Sequence, residues 1–403
     1  MRALTGLPAG LGLAGGAPLR AMGTILAMVL LLPLAPARRS ALVDLNNSSA
    51  VHSLGPTSSL LPKQKRWVIS VFKGNEPETY ASTTSPTVNT VFDVDPVKLV
   101  RAHDGHGLTA FLDLGASWGG AGMRIWNLQC DKLFPPASCG PTSWHPTPPV
   151  AGCGITMSGL QPEWQQQLRA TIQRIGPALR NRSIAGVFLG DELCGTANIP
   201  AANFSAVATA AKHLMAQFGG GLVSANEAVR AVNTSAWGPQ AGAATSSPAS
   251  PCYLATIPPA IDLISLDWYA VPVASVRPAG ATGNTTAEAD LIRGIYSSML
   301  VPKLAAHQRL LLVPGTFADG DLNRSGPLAA QDAAIAAKLE GYWQWMKEDA
   351  RVVGLNAYHW RNEGAAAGRG VWAPPGDAWL GEGLVSLPLA QAVMRKITAM
   401  AGS

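Results

Sequence analysis

Of the 403 residues only 14 % are charged while 42 are Gly and 31 are Pro, which excludes a disordered solvating chain and favours an apolar scaffold with many tight loops. The net charge of +5 is spread along the chain, with no basic run longer than Lys63-Gln64-Lys65-Arg66, so no nucleic-acid partner is expected. The length accommodates one barrel of about 250 residues with insertions, or two smaller domains.

Arg2 and Arg20 precede an apolar segment from Met22 to Leu34, which is followed by Ala35-Pro36-Ala37 and Arg38-Arg39. This pattern reads as a secretory signal over residues 1–37 and a polar leader over 38–65. The apolar core is shorter than the roughly 20 residues of a membrane span, so a membrane is involved only if the segment is retained as an anchor. Sequons at Asn46, Asn47, Asn181, Asn203, Asn233, Asn284 and Asn323 take 7 of the 14 asparagines. Chance would give about one in seven, which points to a glycosylated surface. The five cysteines fit the same exported setting. Cys130, Cys139 and Cys153 share one loop region, Cys194 and Cys252 follow other expected strands, and two disulfides with one free thiol would account for them, the pairing left open.

A single domain over 66–403 then alternates between strands and helices. The first expected strand is the β-branched run 66–72; Asp95 caps a helix with Pro96 in its first position, leading to a second strand over 108–114. Residues 115–159 are rich in Gly, Pro, Trp and Cys, and only 122–127 resembles a strand, which would be the third. Trp164, Leu168, Ile172 and Ile175 fall at helical spacing in a helix over 161–180, which feeds a fourth strand, Ile184 to Leu189. Strands over 221–226, 261–269, 309–313 and 352–360 follow, with helices over 201–218, 287–306, 328–348 and 387–400. This order predicts an α/β protein, a (β/α)8 TIM-like barrel with long loops and an irregular third strand. A doubly wound alternative lacks a Gly-rich phosphate loop after its first strand.

In such a barrel the catalytic groups project from the C-terminal strand ends. Asp191 and Glu192 stand at one of these ends, and side chains alternate along an extended strand, so only one acid of the pair faces the axis. Glu192 shares parity with Gly186, Phe188 and Gly190, whereas Asp191 goes with the outward Val187 and Leu189. Mid-strand polar residues are better tolerated among converging partners in the interior, which turns Ser70, Thr109, Ser224, Ser265 and Asn356 inward. The same parity carries Asp113, Asn226, Asp267, Tyr358 and Trp360 to the mouth.

Glycosidic cleavage commonly pairs two carboxyl groups, and Glu192 with Asp267 is the expected pair. A carboxyl enclosed by aromatic rings holds its proton more readily, so Glu192 takes the general-acid role and Asp267 that of nucleophile or base, with Asp113 or Asp191 as its alternatives. Asp113, Asn127, Asp191, Asn226, Tyr269, Tyr358 and Trp360 are the expected substrate contacts, the aromatic residues offering faces for sugar rings. Neither a cofactor nor a metal is called for; His103-Asp104-Gly105-His106 lies on the far side of the second strand and suits a solvated helix end.

The segments Gly186-Val187-Phe188-Leu189-Gly190-Asp191-Glu192, Asp267-Trp268-Tyr269 and Tyr358-His359-Trp360 resemble the TIM-barrel glycoside hydrolase superfamily. That resemblance implies a carbohydrate site at the strand ends with the acid at Glu192. Two departures stand out. The two-glutamate retaining families carry a second Glu after the seventh strand, where this chain has Pro314-Gly315-Thr316-Phe317, and the spaced aspartates of chitinase-like families are absent from the fourth. A carbohydrate-binding protein that has lost catalysis is therefore the alternative.

Overall fold

The computed structural model describes residues 67–71, 86–114, 125–130, 155–194, 199–232, 252–267, 285–318, 327–358 and 383–402, all within the compact unit Leu54–Ser403. The N-terminal signal and leader, Tyr269 and Trp360 lie outside the described residues.

The strands are β1 (Val68–Val71), β2 (Thr90–Asp93), β3 (Thr109–Asp113), β4 (Trp126–Cys130), β5 (Ile155–Leu160), β6 (Gly186–Asp191), β7 (Leu222–Ala228), β8 (Leu263–Asp267), β9 (Arg309–Leu312) and β10 (Val352–Ala357). The helices are α1 (Pro96–His106), α2 (Trp164–Arg180), α3 (Ala201–Ala216), α4 (Thr285–Ile295), α5 (Leu328–Glu348) and α6 (Pro388–Gly402). Eight strands form one parallel sheet in the order β1-β10-β9-β8-β7-β6-β3-β2. With helices between the strands this is the TIM-like barrel that the sequence predicts.

The eight ring strands are not the eight expected ones. β2 is a ring strand that the sequence reading passes over, because its four residues run straight into the Asp95 cap of α1. The expected third strand is no part of the ring: Trp126–Cys130 pairs antiparallel with β5 in a separate two-stranded sheet. A parallel ring strand needs a crossover on each side, and no helix is described between β3 and β4.

Side chains complete the ring at two seams. Between β1 and β2, Asn89 gives its backbone N–H to the Ile69 carbonyl (3.0 Å), its Oδ1 accepts from the Ile69 amide (2.8 Å) and its Nδ2 donates to the Trp67 carbonyl (2.7 Å). β8 pairs with β9 at only two positions, Leu263 with Arg309 and Ile264 with Leu310. Beyond them the buried phenol of Tyr296 accepts from the Leu266 amide (2.8 Å) and faces the Leu266 and Leu311 carbonyls (3.0 and 3.2 Å). Burial is the main force that pushes this phenol far above the ordinary tyrosine range, and the charge of Asp267 adds to it.

Alternation along the strands separates two hydrophobic regions. Outward residues such as Val187, Leu189, Val223, Ile264 and Leu312 pack with the helices in the large core. Inward residues Val68, Phe111, Leu222, Leu263 and Leu311 fill the lower barrel, with Phe92 and Phe188 set against them; the Phe92 ring stacks on Phe111 at 5.0 Å and meets Phe188 edge-on at 5.4 Å. Above this layer the interior turns polar. Ser70 donates to Asn356 Oδ1 (2.8 Å), and Ser265 donates to Asn226 Oδ1 (2.5 Å), all four residues being buried.

Candidate active site

The site begins with an irregularity in β6. Gly186, Val187 and Phe188 pair with Leu222, Val223 and Ser224, and the next pair is Asp191 with Asn226. Three steps on β6 thus match two on β7, a bulge that holds one extra residue, and Gly190 within it adopts φ 144°. The extra residue changes the direction of Asp191. Asp191 turns into the interior and accepts a hydrogen bond from Asn226 Nδ2 at 2.7 Å. The alternation that would make Asp191 an outward residue fails at Gly190, since it requires unbroken extended geometry.

Glu192 is not on a strand at all: its φ of 48° lies in the left-handed region, which non-glycine residues seldom adopt, and its backbone N–H goes to the Asn226 carbonyl at 2.9 Å. Strain of this kind persists only where the surroundings hold it. The surroundings here are well defined. The next turn is pinned by Cys194, whose backbone N–H goes to both carboxylate oxygens of buried Glu227 (3.0 and 3.1 Å) and whose sulfur is joined to Cys252. On the other side the Leu114 amide donates to the Phe188 carbonyl (2.7 Å) and the Trp126 indole to the Leu189 carbonyl (3.3 Å).

The remaining expected residues divide as follows. Asp267 ends β8 opposite Ala228, and Asp113 ends β3 opposite Phe188; both are half-buried, as are Asp191, Glu192 and Tyr358. Tyr358 follows β10, with its N–H on the Pro314 carbonyl (2.9 Å), its own carbonyl accepting from Thr316, and its ring edge-on to Phe317 at 6.0 Å. Burial first, then the charges of Asp191, Asp267 and Glu192, push the Tyr358 phenol far above the ordinary range. All three acids stand at strand ends on one side of the ring: Asp191 ends β6, Glu192 follows it, and Asp267 ends β8. Asn226 is fully buried, with Ser265 on one end of its amide and Asp191 on the other. Asn127 belongs to β4, in the hairpin outside the ring.

Glu227 and Thr316 are additions. The expected fifth strand stops at Asn226, so the neighbouring Glu227 is not considered, although an acid beside an inward polar residue at a strand end repeats the pattern of β6. Thr316, in the segment after β9, is fully buried, and its hydroxyl has no hydrogen-bond partner among the described residues. A groove of about 260 Å³ between α4 and α5 lies away from this cluster and is spanned by the Arg293–Glu348 ion pair at 2.7 Å. Among the described residues no three His, Cys, Asp or Glu are grouped to hold a metal, and no helix is long and apolar enough to cross a membrane.

No protein-family model matches this chain, and no curated protein matches it. Among solved structures it resembles glycoside hydrolases. A GH2 β-galacturonidase from Eisenbergiella tayi bound to galacturonate aligns at TM-score 0.41 and 11 % identity over 78 % of this chain and 45 % of its own. A GH113 β-1,4-mannanase aligns at 0.40 and 11 % over 83 % and 99 %, and a β-glucuronidase from Ruminococcus gnavus in complex with uronic deoxynojirimycin at 0.43 and 13 % over 77 % and 43 %. The chain spans less than half the length of the β-galacturonidase and the β-glucuronidase. At these scores the likeness bears on neither the residues nor the reaction.

Proposed function

We propose that the protein is a secreted, glycosylated glycoside hydrolase-like enzyme that cleaves glycosidic bonds with two carboxyl groups and no cofactor. The observation behind this reading is that Asp191, Glu192 and Asp267 all stand at, or just beyond, the C-terminal ends of ring strands, the side on which such a barrel carries its site. Glu192 gives its proton to the leaving glycosidic oxygen. Asp267 either takes a proton from the water that attacks the anomeric carbon, or attacks that carbon itself to form an ester that water then opens. Either route adds one water across the broken bond. A carboxyl separation of about 5–5.5 Å selects the ester route, and about 6.5–9.5 Å selects direct attack by water. Asp113, Asn127, Asp191, Tyr269, Tyr358 and Trp360 serve as sugar contacts.

One observation favours a second reading. The segment after β9, Pro314-Gly315-Thr316-Phe317, carries no acid where the two-glutamate families have their second one, which suits a barrel that binds sugar without cleaving it. Turnover on a panel of aryl glycosides and polysaccharides, wild type against Glu192→Gln, separates the two. The hydrolase reading expects turnover of at least one substrate and a loss of about 100-fold or more in the variant. Equal rates in both proteins remove Glu192 from the reaction, and sugar binding without turnover supports the binding protein.

A further inference from the structure

We propose that Asn226 is a positioning residue that holds both members of the acid doublet, rather than a contact for substrate. The inference rests on the site described above, but its test does not require that the reaction be known. Asn226 has no exposed surface, so no substrate reaches it. Its backbone carbonyl takes the Glu192 N–H at 2.9 Å and its side-chain Nδ2 donates to Asp191 Oδ1 at 2.7 Å. One residue of β7 therefore sets the left-handed turn at Glu192 and the inward direction of Asp191.

The orientation of its amide is itself fixed. An Asp191 carboxylate only accepts, so the NH2 end faces it, and Oδ1 is left to take the Ser265 hydroxyl at 2.5 Å. The chain Ser265, Asn226, Asp191 thus runs donor to acceptor across β8, β7 and β6, and it ends on a carboxylate. An amide donor at that point favours the ionised form of the acid. Asp191 is then a fixed negative charge beside Glu192, and the bulge in β6 is the backbone device that brings it there.

The isosteric substitution Asn226→Asp keeps the shape and replaces the donor with a second carboxyl. Two facing carboxyls share one proton and titrate in two well-separated steps. The experiment is a carboxyl titration by NMR on protein carrying isotope-labelled aspartate, with Asp191→Asn to assign the signal. In Asn226→Asp the new carboxyl and Asp191 are expected to titrate as a coupled pair, their steps about two pH units apart or more. If a substrate is in hand, activity falls by about 10- to 100-fold near neutrality and recovers on acidification, because the shared proton restores a donor to Asp191. A merely structural role would give no such acid rescue. Independent titration of the two carboxyls in the ordinary range overturns the proposal.

Ser265→Ala tests the same chain one step back, should Asn226→Asp fail to fold. It removes the partner of Asn226 Oδ1, which loosens the amide that donates to Asp191, and is expected to move the Asp191 titration upward by about half a pH unit. An unmoved titration in that variant overturns the proposal. Absence of activity on every substrate leaves the titration readable, so failure of the hydrolase reading and failure of this one are told apart.

Discussion

The indole N–H of Trp126 donates to the carbonyl of Leu189 at 3.3 Å, which ties the hairpin outside the ring to the residue just before Gly190 in the β6 bulge. A bulge interrupts the ladder, and here a side chain from another sheet supplies a donor. Trp126 is fully buried, so the contact is shielded from water. Trp126→Phe preserves most of the bulk and removes the donor; a stability loss of about 1–2 kcal/mol is expected from urea unfolding. Trp126→Ala also opens a cavity and is expected to cost about 3–5 kcal/mol.

Tyr296 gives a prediction about stability in base as well as about packing. Tyr296→Phe leaves the Leu266 amide in the β8–β9 seam without its acceptor, which costs about 1–3 kcal/mol. The folded protein holds the protons of Tyr296 and Tyr358 above the ordinary range, whereas the unfolded chain releases them near pH 10. The folded state thus binds more protons in that alkaline window, so their contribution is complete below about pH 10 and is lost as pH rises beyond it. Urea midpoints measured on either side of that pH are expected to fall on the alkaline side, and by less in Tyr296→Phe. A midpoint that holds steady contradicts the assignment.

Asn89 closes the ring where β1 and β2 do not form a ladder. Asn89→Ala keeps the backbone bond to Ile69 but loses the two side-chain bonds to Ile69 and Trp67. A loss of about 1–3 kcal/mol is expected, together with faster amide exchange at Ile69. Protection at Ile69 that matches wild type would mean that the seam is held by other contacts.

How far the sequence carried these features depends on whether periodicity or tertiary pairing decided them. α2 and α5 are legible because apolar residues such as Leu168, Ile172 and Ile175, or Leu339, Tyr342 and Met346, follow helical spacing on a buried face. Alternation placed Ser70, Asn356, Asn226 and Ser265 together in the interior, since a strand has only two faces. β2 escaped because four residues between a loop and a helix cap carry too short a pattern. The hairpin of β4 and β5 escaped because its partners are separated by the long span after Cys130. The bulge at Gly190 is the instructive failure: a single inserted residue reverses parity, so Asp191, outward by alternation, turns to the interior. Its sole local signal is the glycine.

The most direct test of the central claim, that Glu192 protonates a leaving glycosidic oxygen at the mouth of this barrel, is the leaving-group dependence of turnover in Glu192→Gln. A dinitrophenyl glycoside departs without help from an acid, whereas an alkyl glycoside of the same sugar needs a proton. The variant is expected to lose about 100-fold or more on the alkyl glycoside while it keeps most of its rate on the activated one. Equal losses on both, or none on either, would contradict the assignment.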